Sequence, residues 1–221
     1  MSQPISFFSG FQPSDLLFLA EAAWRTLLIS GLAISIGTFF GIIFGWLLYE
    51  GRIWASLTLA PVLDIFRSVP LIIQLVLFYN FAPILGLNLD PFASGVVILA
   101  IYTAALVANV ARGGIEAVGQ PMRRAARSLG MSYWQDLRYV ALPIGGRAVF
   151  PAWVGVALGV MKDSALVSVL GYVELLKASQ ILITRTQEPF LILSIAGAFY
   201  FALSYPISRY AARLEQRWAH A

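Results

Sequence analysis

Lys162 and Asp163 stand side by side inside the otherwise apolar run 152–172. A charge at membrane depth is costly and marks a functional position by default. Helix neighbours point about 100° apart, since a turn takes 3.6 residues, so the two cannot face one cavity together. Asp163 is assigned to a solute path, where its carboxylate can meet an ammonium group, and Lys162 to a pairing with protein. A salt bridge that only fixes packing is the competing reading of both. A second set lies in the run 55–81, where Arg67 and Gln74 are seven apart and share a helix face. Pro70 between them removes a helical hydrogen bond and frees a carbonyl. Gln74 is the better path candidate, because Asp64, three before Arg67, makes a local ion pair the simpler reading of that arginine. In the run 92–110, Tyr102 and Asn109 share a face, while Thr103 is expected to bond back to its own helix. These groups suit the binding and passage of a small polar solute.

They do not suit intrinsic catalysis. Cysteine is absent, the only histidine is His220 near the C-terminus, and Lys162 and Lys177 are the only lysines. Neither lysine follows a glycine, so there is no phosphate loop for ATP. Gly-x-Ser-x-Gly, His-Glu-x-x-His and metal-ligand clusters are also missing. No metal or cofactor is expected. An intramembrane enzyme would have to work through carboxylates such as Asp163.

The elements that position these residues are membrane spans. The chain is 59% hydrophobic and 12% charged, against about a quarter charged in soluble domains. Five runs are long enough to cross a hydrocarbon core of about 20 helical residues: 24–49, 55–81, 92–110, 152–172 and 190–207. The stretch 82–91 is read as a loop, and the whole chain, 1–221, as one membrane domain. No secretory signal is apparent, since the N-terminal segment lacks a basic region. Lys and Arg near span ends set orientation. Arg52, the stretch 111–150 and Arg209, Arg213 and Arg217 fall on one side, leaving Arg25, Lys177 and Arg185 on the other. The N-terminus is therefore expected outside and the C-terminus in the cytoplasm. The last three arginines, four apart, read as headgroup anchors or as a contact with a partner subunit. The basic balance reflects cytoplasmic loops, and no nucleic-acid partner is expected. Gly37, Gly41 and Gly45 form a small-xxx-small row. That row serves packing within the subunit or against a second one.

The stretch 111–150 carries six arginines against two acids, and its excess equals the formal net charge of +4 of the whole chain. Pro121 can open a helix, Gly130 can stop it, and Ser132 can cap a second one. Pro143 and Gly145-Gly146 are expected to end that second helix. Trp134, Leu137, Val140 and Ala141 give it an apolar stripe opposite Gln135 and Arg138. Such a hairpin is either a docking element or a membrane-surface element whose arginines meet lipid headgroups.

Ala125-Ala126, three residues, Gly130, nine residues, then Val140-Ala141-Leu142-Pro143 resembles the cytoplasmic "EAA loop" of permease subunits of ATP-binding-cassette (ABC) importers. Arg124 stands where that pattern has an acid. Phe66-Arg67-Ser68-Val69-Pro70-Leu71 with Gln74, Arg112-Gly113-Gly114-Ile115, Lys162 through Val169 and Glu174-Leu175-Leu176 resemble the polar-amino-acid branch of that family. Asn109 departs from it, standing where the branch commonly has an acid. The resemblance implies an all-α, MetI-like type I importer permease with five spans and a coupling hairpin, in a bacterial inner membrane. It implies contact with a separate ABC ATPase through Arg124, Ala125, Ala126, Leu129, Gly130 and Met131, and a path including Asp163, Ser164, Gln74, Tyr102 and Arg67. It also implies that ATP binds the partner ATPase and that the other partners are a second permease, identical or paralogous, and a periplasmic or lipid-anchored solute-binding protein. The substrate would be a polar amino acid and the mechanism alternating access. A stand-alone carrier or channel is the alternative.

Overall fold

A computed structural model describes residues 10–219; the first nine residues, His220 and Ala221 lie outside the described residues. Every regular element among them is helical: α1 (Pro13–Glu50), α2 (Arg52–Ser68), α3 (Leu71–Phe81), α4 (Pro91–Ala117), α5 (Gln120–Ser128), α6 (Tyr133–Asp136), α7 (Leu142–Asp163), α8 (Leu175–Thr186) and α9 (Pro189–Ala219). By length and composition α1, α4, α9 and the continuous helix Tyr133–Leu170 are each able to cross a membrane. With 38 residues, α1 is about 57 Å long, almost twice the thickness of a hydrocarbon core. One of its ends must therefore project beyond that core or the helix must tilt.

The run 55–81 is not a single straight span. Its two halves, α2 and α3, are bent by 104° at a short break, and only as a pair do they make a fifth candidate span. Pro70 is the cause. The residue before a proline is pushed out of the helical region, and Val69 sits at φ −77°, ψ 130°. The connection after α3 is also more ordered than a loop. Ala82–Leu85 is a 3-10 turn, and the Asp90 carboxylate caps α4 by accepting from the Ala93 amide at 2.7 Å.

The glycine row of α1 packs within the subunit. A Cβ on Gly37 would stand 2.7 Å from the Ala100 carbonyl oxygen, on Gly41 2.6 Å from Val107, and on Gly45 2.5 Å from the Ala108 carbonyl oxygen. Only glycine lets α1 lie this close to α4. Beside that seam a core of Ile29, Leu71, Leu75, Leu99, Val160 and Val167 ties α1 to α3, α4 and the end of the Tyr133–Leu170 helix.

Much of the stretch 111–150 is not loop. Helix α4 runs on to Ala117, and Pro143 and Gly145-Gly146 end nothing, because α6 continues into α7. The chain absorbs Pro143 with a π-helical turn over Leu137–Ala141, a wide turn that relieves the clash a proline makes with the carbonyl four residues back. Gly145 remains necessary for another reason: a Cβ there would collide with the Gly114 backbone, where α7 crosses α4.

Candidate functional site

The hairpin between α4 and α7 is built from strong local signals. Pro121 occupies the first turn of α5. Gly130 adopts φ +89°, the Met131 amide reaches back to the Ala126 carbonyl at 3.2 Å, and the Gly130 amide reaches Arg127 at 3.0 Å. That pair of bonds is a Schellman stop. Ser132 then opens α6 with a reciprocal capping box to Gln135.

What holds the two arms together is a buried ion pair. Arg123 is 2% exposed and Asp136 is fully buried. The Arg123 Nε donates to Asp136 Oδ2 at 2.8 Å, and Arg127 adds a longer contact to the same oxygen at 3.4 Å. Burial by itself weakens the hold of Arg123 on its proton. Hydrogen bonds to Asp136 and Tyr49 outweigh that and push the group further up, so Arg123 is cationic at any ordinary pH.

The same cluster fastens the hairpin to the end of α1. Arg123 Nη1 donates to the Tyr49 hydroxyl at 3.1 Å, the Tyr133 hydroxyl donates to Glu50 at 2.7 Å, and Trp46 Nε1 donates to the Tyr133 hydroxyl at 2.8 Å. The Arg123 guanidinium lies over the rings of Tyr49 and Tyr133, and Trp134 packs on Trp46. The hairpin is thus fastened to the end of α1, which is sealed to α4.

The opposite face of the hairpin is free. Arg124 and Ala125 are exposed, and Met122 and Leu129 show 53% and 84% of their surfaces. Gly130 has open space around it, Met131 is half-buried and Ala126 is buried. Of the residues expected to meet an ATPase, Ala126 faces inward and Arg124, Ala125, Leu129 and Gly130 form the outward surface. Leu137 and Ala141 of the apolar stripe are buried; Trp134, at its end, is the exposed exception.

Of the expected path residues, the structure brings Tyr102 and Asp163 within reach of each other, while Gln74 and Ser164 bond to nearby backbone. Tyr102 packs on the core that joins α1, α3 and α4, and Asp163 lies within electrostatic reach of its hydroxyl. Asp163 ends α7, where the helix tightens into the 3-10 segment Ser164–Leu170. Ser164 is buried and donates to the Met161 carbonyl at 2.7 Å. Gln74 has a definite structural task. Its side-chain nitrogen donates to the carbonyls of Phe66 at 2.8 Å and Val69 at 2.7 Å. Phe66 is the carbonyl that Pro70 frees, four residues back. Gln74 Oε1 is left buried without a partner among the described residues. Arg67 is paired with Asp64. Lys162 is exposed and Asn109 is exposed, while Thr103 bonds back to Leu99 at 2.6 Å. Arg209, Arg213 and Arg217 are all exposed.

Sequence reasoning missed the Arg123–Asp136–Tyr49 cluster. The available signal was that Asp136 is the sole acid between Glu116 and Asp163, placed among arginines.

Comparison with known proteins gives a consistent picture. The family model described as binding-protein-dependent transport system inner membrane component matches residues 37–220. A probable glutamine ABC transporter permease protein of Bacillus subtilis (strain 168) is 30% identical over 218 residues, covering 96% of this chain and 99% of the relative. The glutamine transport system permease protein of Escherichia coli (strain K12) is 30% identical over 201 residues, covering 90% and 92%. Among solved structures, a chain of an amino acid ABC transporter crystallised with histidines superposes with a TM-score of 0.82 at 31% identity, covering 91% of this chain and 94% of that one.

Proposed function

The chain belongs to the family of inner membrane components of binding-protein-dependent transport systems, and from that premise we propose that this permease imports a polar amino acid by alternating access driven by a separate ATPase. A glutamine-like amide is the first substrate to test, because two relatives are named for glutamine. The observation that carries the reading is the hairpin itself. Its outward face is apolar and basic, its arms are held together by the Arg123–Asp136 pair and fastened to α1 through Tyr49 and Glu50, and its second arm is continuous with the helix that bears Asp163.

On this reading the ATPase grips Arg124, Ala125, Leu129 and Gly130 from the cytoplasm, with the C-terminus on the same side and the N-terminus outside. ATP binds the ATPase, and this chain contributes no cofactor site. Closure of the ATPase moves the hairpin. The lock transmits that movement to α1 and α4, and the α6–α7 continuity transmits it toward Asp163. Asp163 offers a carboxylate to the substrate ammonium, with Tyr102 beside it. Two permeases, copies or paralogues, complete the path, and a solute-binding protein delivers substrate from outside. The cavity must bind substrate differently in its two states, or ATP binding would shift nothing.

The test is co-purification followed by uptake. The tagged chain, expressed with its genomic neighbours, is expected to recover an ATPase. Reconstituted with the binding protein, the complex should take up labelled glutamine in competition with other polar amino acids. Recovery of the folded chain with no ATPase would overturn the importer reading. Recovery of the ATPase, with uptake blocked only by acidic or basic amino acids, would keep the importer and reject the amide.

A further inference from the structure

Helix α5 has two unlike flanks on its outward side. At about 100° of rotation per residue, the buried Arg123 and Ala126 mark the inward side and the exposed Ser128 stands opposite them. Met122, Ala125 and Leu129, which follows the last turn, line one flank within about 60° of one another. Arg124 and Arg127 line the other flank, also about 60° apart. All five are exposed. The two arginines differ in what they already do. Arg127 lies over the Tyr133 ring and makes the longer contact to Asp136. Arg124 takes part in none of the ion pairs among the described residues. Because Arg123 on the inward side bonds to Tyr49 at the end of α1, the outward side points away from that span end, and a lipid headgroup layer does not lie over it.

We propose, resting on the ATPase reading of the hairpin, that the groove which seats it has an apolar wall against Met122 and Leu129 and a carboxylate on the facing wall against Arg124. The apolar half follows from surface: Leu129 is 84% exposed, and covering such a side chain is favourable. The acidic half follows from charge. A groove that encloses both flanks takes the Arg124 guanidinium out of water, and an enclosed charge without a counter-charge costs more than one apolar contact gains. A carboxylate removes that cost, and the guanidinium fork can meet it with two parallel hydrogen bonds. The same pair selects the partner, because an ATPase with a basic side chain at that place would be repelled.

The test uses the complex of the full chain with the ATPase, purified after expression with the genomic neighbours. Apparent affinity for the ATPase is read by diluting the complex and counting what stays bound. Arg124→Gln is expected to weaken it about thirtyfold, the range seen when an enclosed charge pair loses one member, and Arg124→Glu to weaken it further. Carboxylates of the ATPase surface are then replaced by lysine one at a time. One such replacement should restore binding to Arg124→Glu and impair binding to wild type. Arg124 and Leu129 are both exposed, so substitutions there disturb no packed contact. Leu129→Asp separates the two levels of the reading, because any ATPase that grips the hairpin should be lost from it. Loss with Leu129→Asp but wild-type affinity in Arg124→Glu overturns the carboxylate and keeps the ATPase. Loss with Arg124→Glu that no lysine exchange restores also overturns the pairing. Unchanged affinity in both variants, or no ATPase bound to wild type, removes the docking reading and this one with it.

Discussion

Pro70 and Pro143 meet the same physical problem and resolve it in opposite ways. Each removes an amide and crowds the carbonyl four residues before it. At Pro70 the helix breaks by 104°, and a side chain, Gln74, takes the two carbonyls left behind. At Pro143 the backbone widens into a π turn and the helix carries on for another twenty residues to Asp163. The difference lies in what surrounds each proline. Gln74 is buried against the core one turn after Pro70 and supplies two donors, so a break is tolerated where backbone groups are otherwise unsatisfied. Around Pro143 the hairpin arms are already clamped by Arg123 and Asp136, and Gly145 is pressed on Gly114, which holds α6 and α7 in line. One proline thus makes a joint within the membrane, and the other preserves a rigid connection between the hairpin and the spans.

The comparison can be broken at the clamp with the largest effect. Asp136→Leu leaves Arg123 charged and buried without a counter-charge, which costs about 3–5 kcal/mol. The purified complex should show a marked fall in melting temperature together with loss of substrate-stimulated ATP hydrolysis. Arg123→Met with Asp136→Leu should recover most of the stability, because replacing both partners removes the unpaired charge. If Asp136→Leu melts like wild type, the rigid side of the contrast is wrong.

Gln74→Leu attacks the joint. It strips the donors from the Phe66 and Val69 carbonyls while also removing the unpartnered Oε1, so a net loss of about 1–3 kcal/mol is expected. Transport should fall even at temperatures where the protein stays folded, since the break loses its fixed angle. Gln74→Glu distinguishes joint from path: it keeps the side-chain shape but cannot donate to those carbonyls when ionised, and should behave like Gln74→Leu. Wild-type uptake by either variant argues that the joint is held by packing alone.

The smallest effect is expected from Pro143→Ala. The restored amide allows the π turn to relax to an ordinary helix, and alanine is the better helix former by about 3 kcal/mol in a regular helix interior. Near the first turn of α7 much of that gain is absent, so the melting temperature should change little. Relaxation would remove one residue's worth of widening and rotate the hairpin relative to α7. ATP hydrolysis should therefore become less responsive to substrate. Unchanged coupling in this variant would mean that the hairpin acts through α1 alone.

Several features were legible in the residues themselves. Apolar runs of span length, the arginine surplus of 111–150, the Gly130 stop and the Ser132 cap depend on local chemistry, which reads along the chain. The spacing from Ala125 through Gly130 to Pro143 carried the family resemblance for the same reason. The candidate path was only partly legible: Asp163 and Tyr102 stand out as polar groups in apolar runs, but a polar residue in such a run is equally able to serve its own backbone, as Gln74 does at the break.

The sequence by itself determined that this is a helical, multi-pass membrane protein with a basic hairpin, because hydrophobic length, charge and capping are properties of short segments. Tertiary structure alone decided which proline breaks a helix and which does not, that the glycines of α1 face α4, and that Arg123 is buried against Asp136 and Tyr49. Those outcomes depend on donors, close contacts and counter-charges brought from elsewhere in the chain, up to 74 residues away in the case of Tyr49 and Arg123, and no local pattern specifies them.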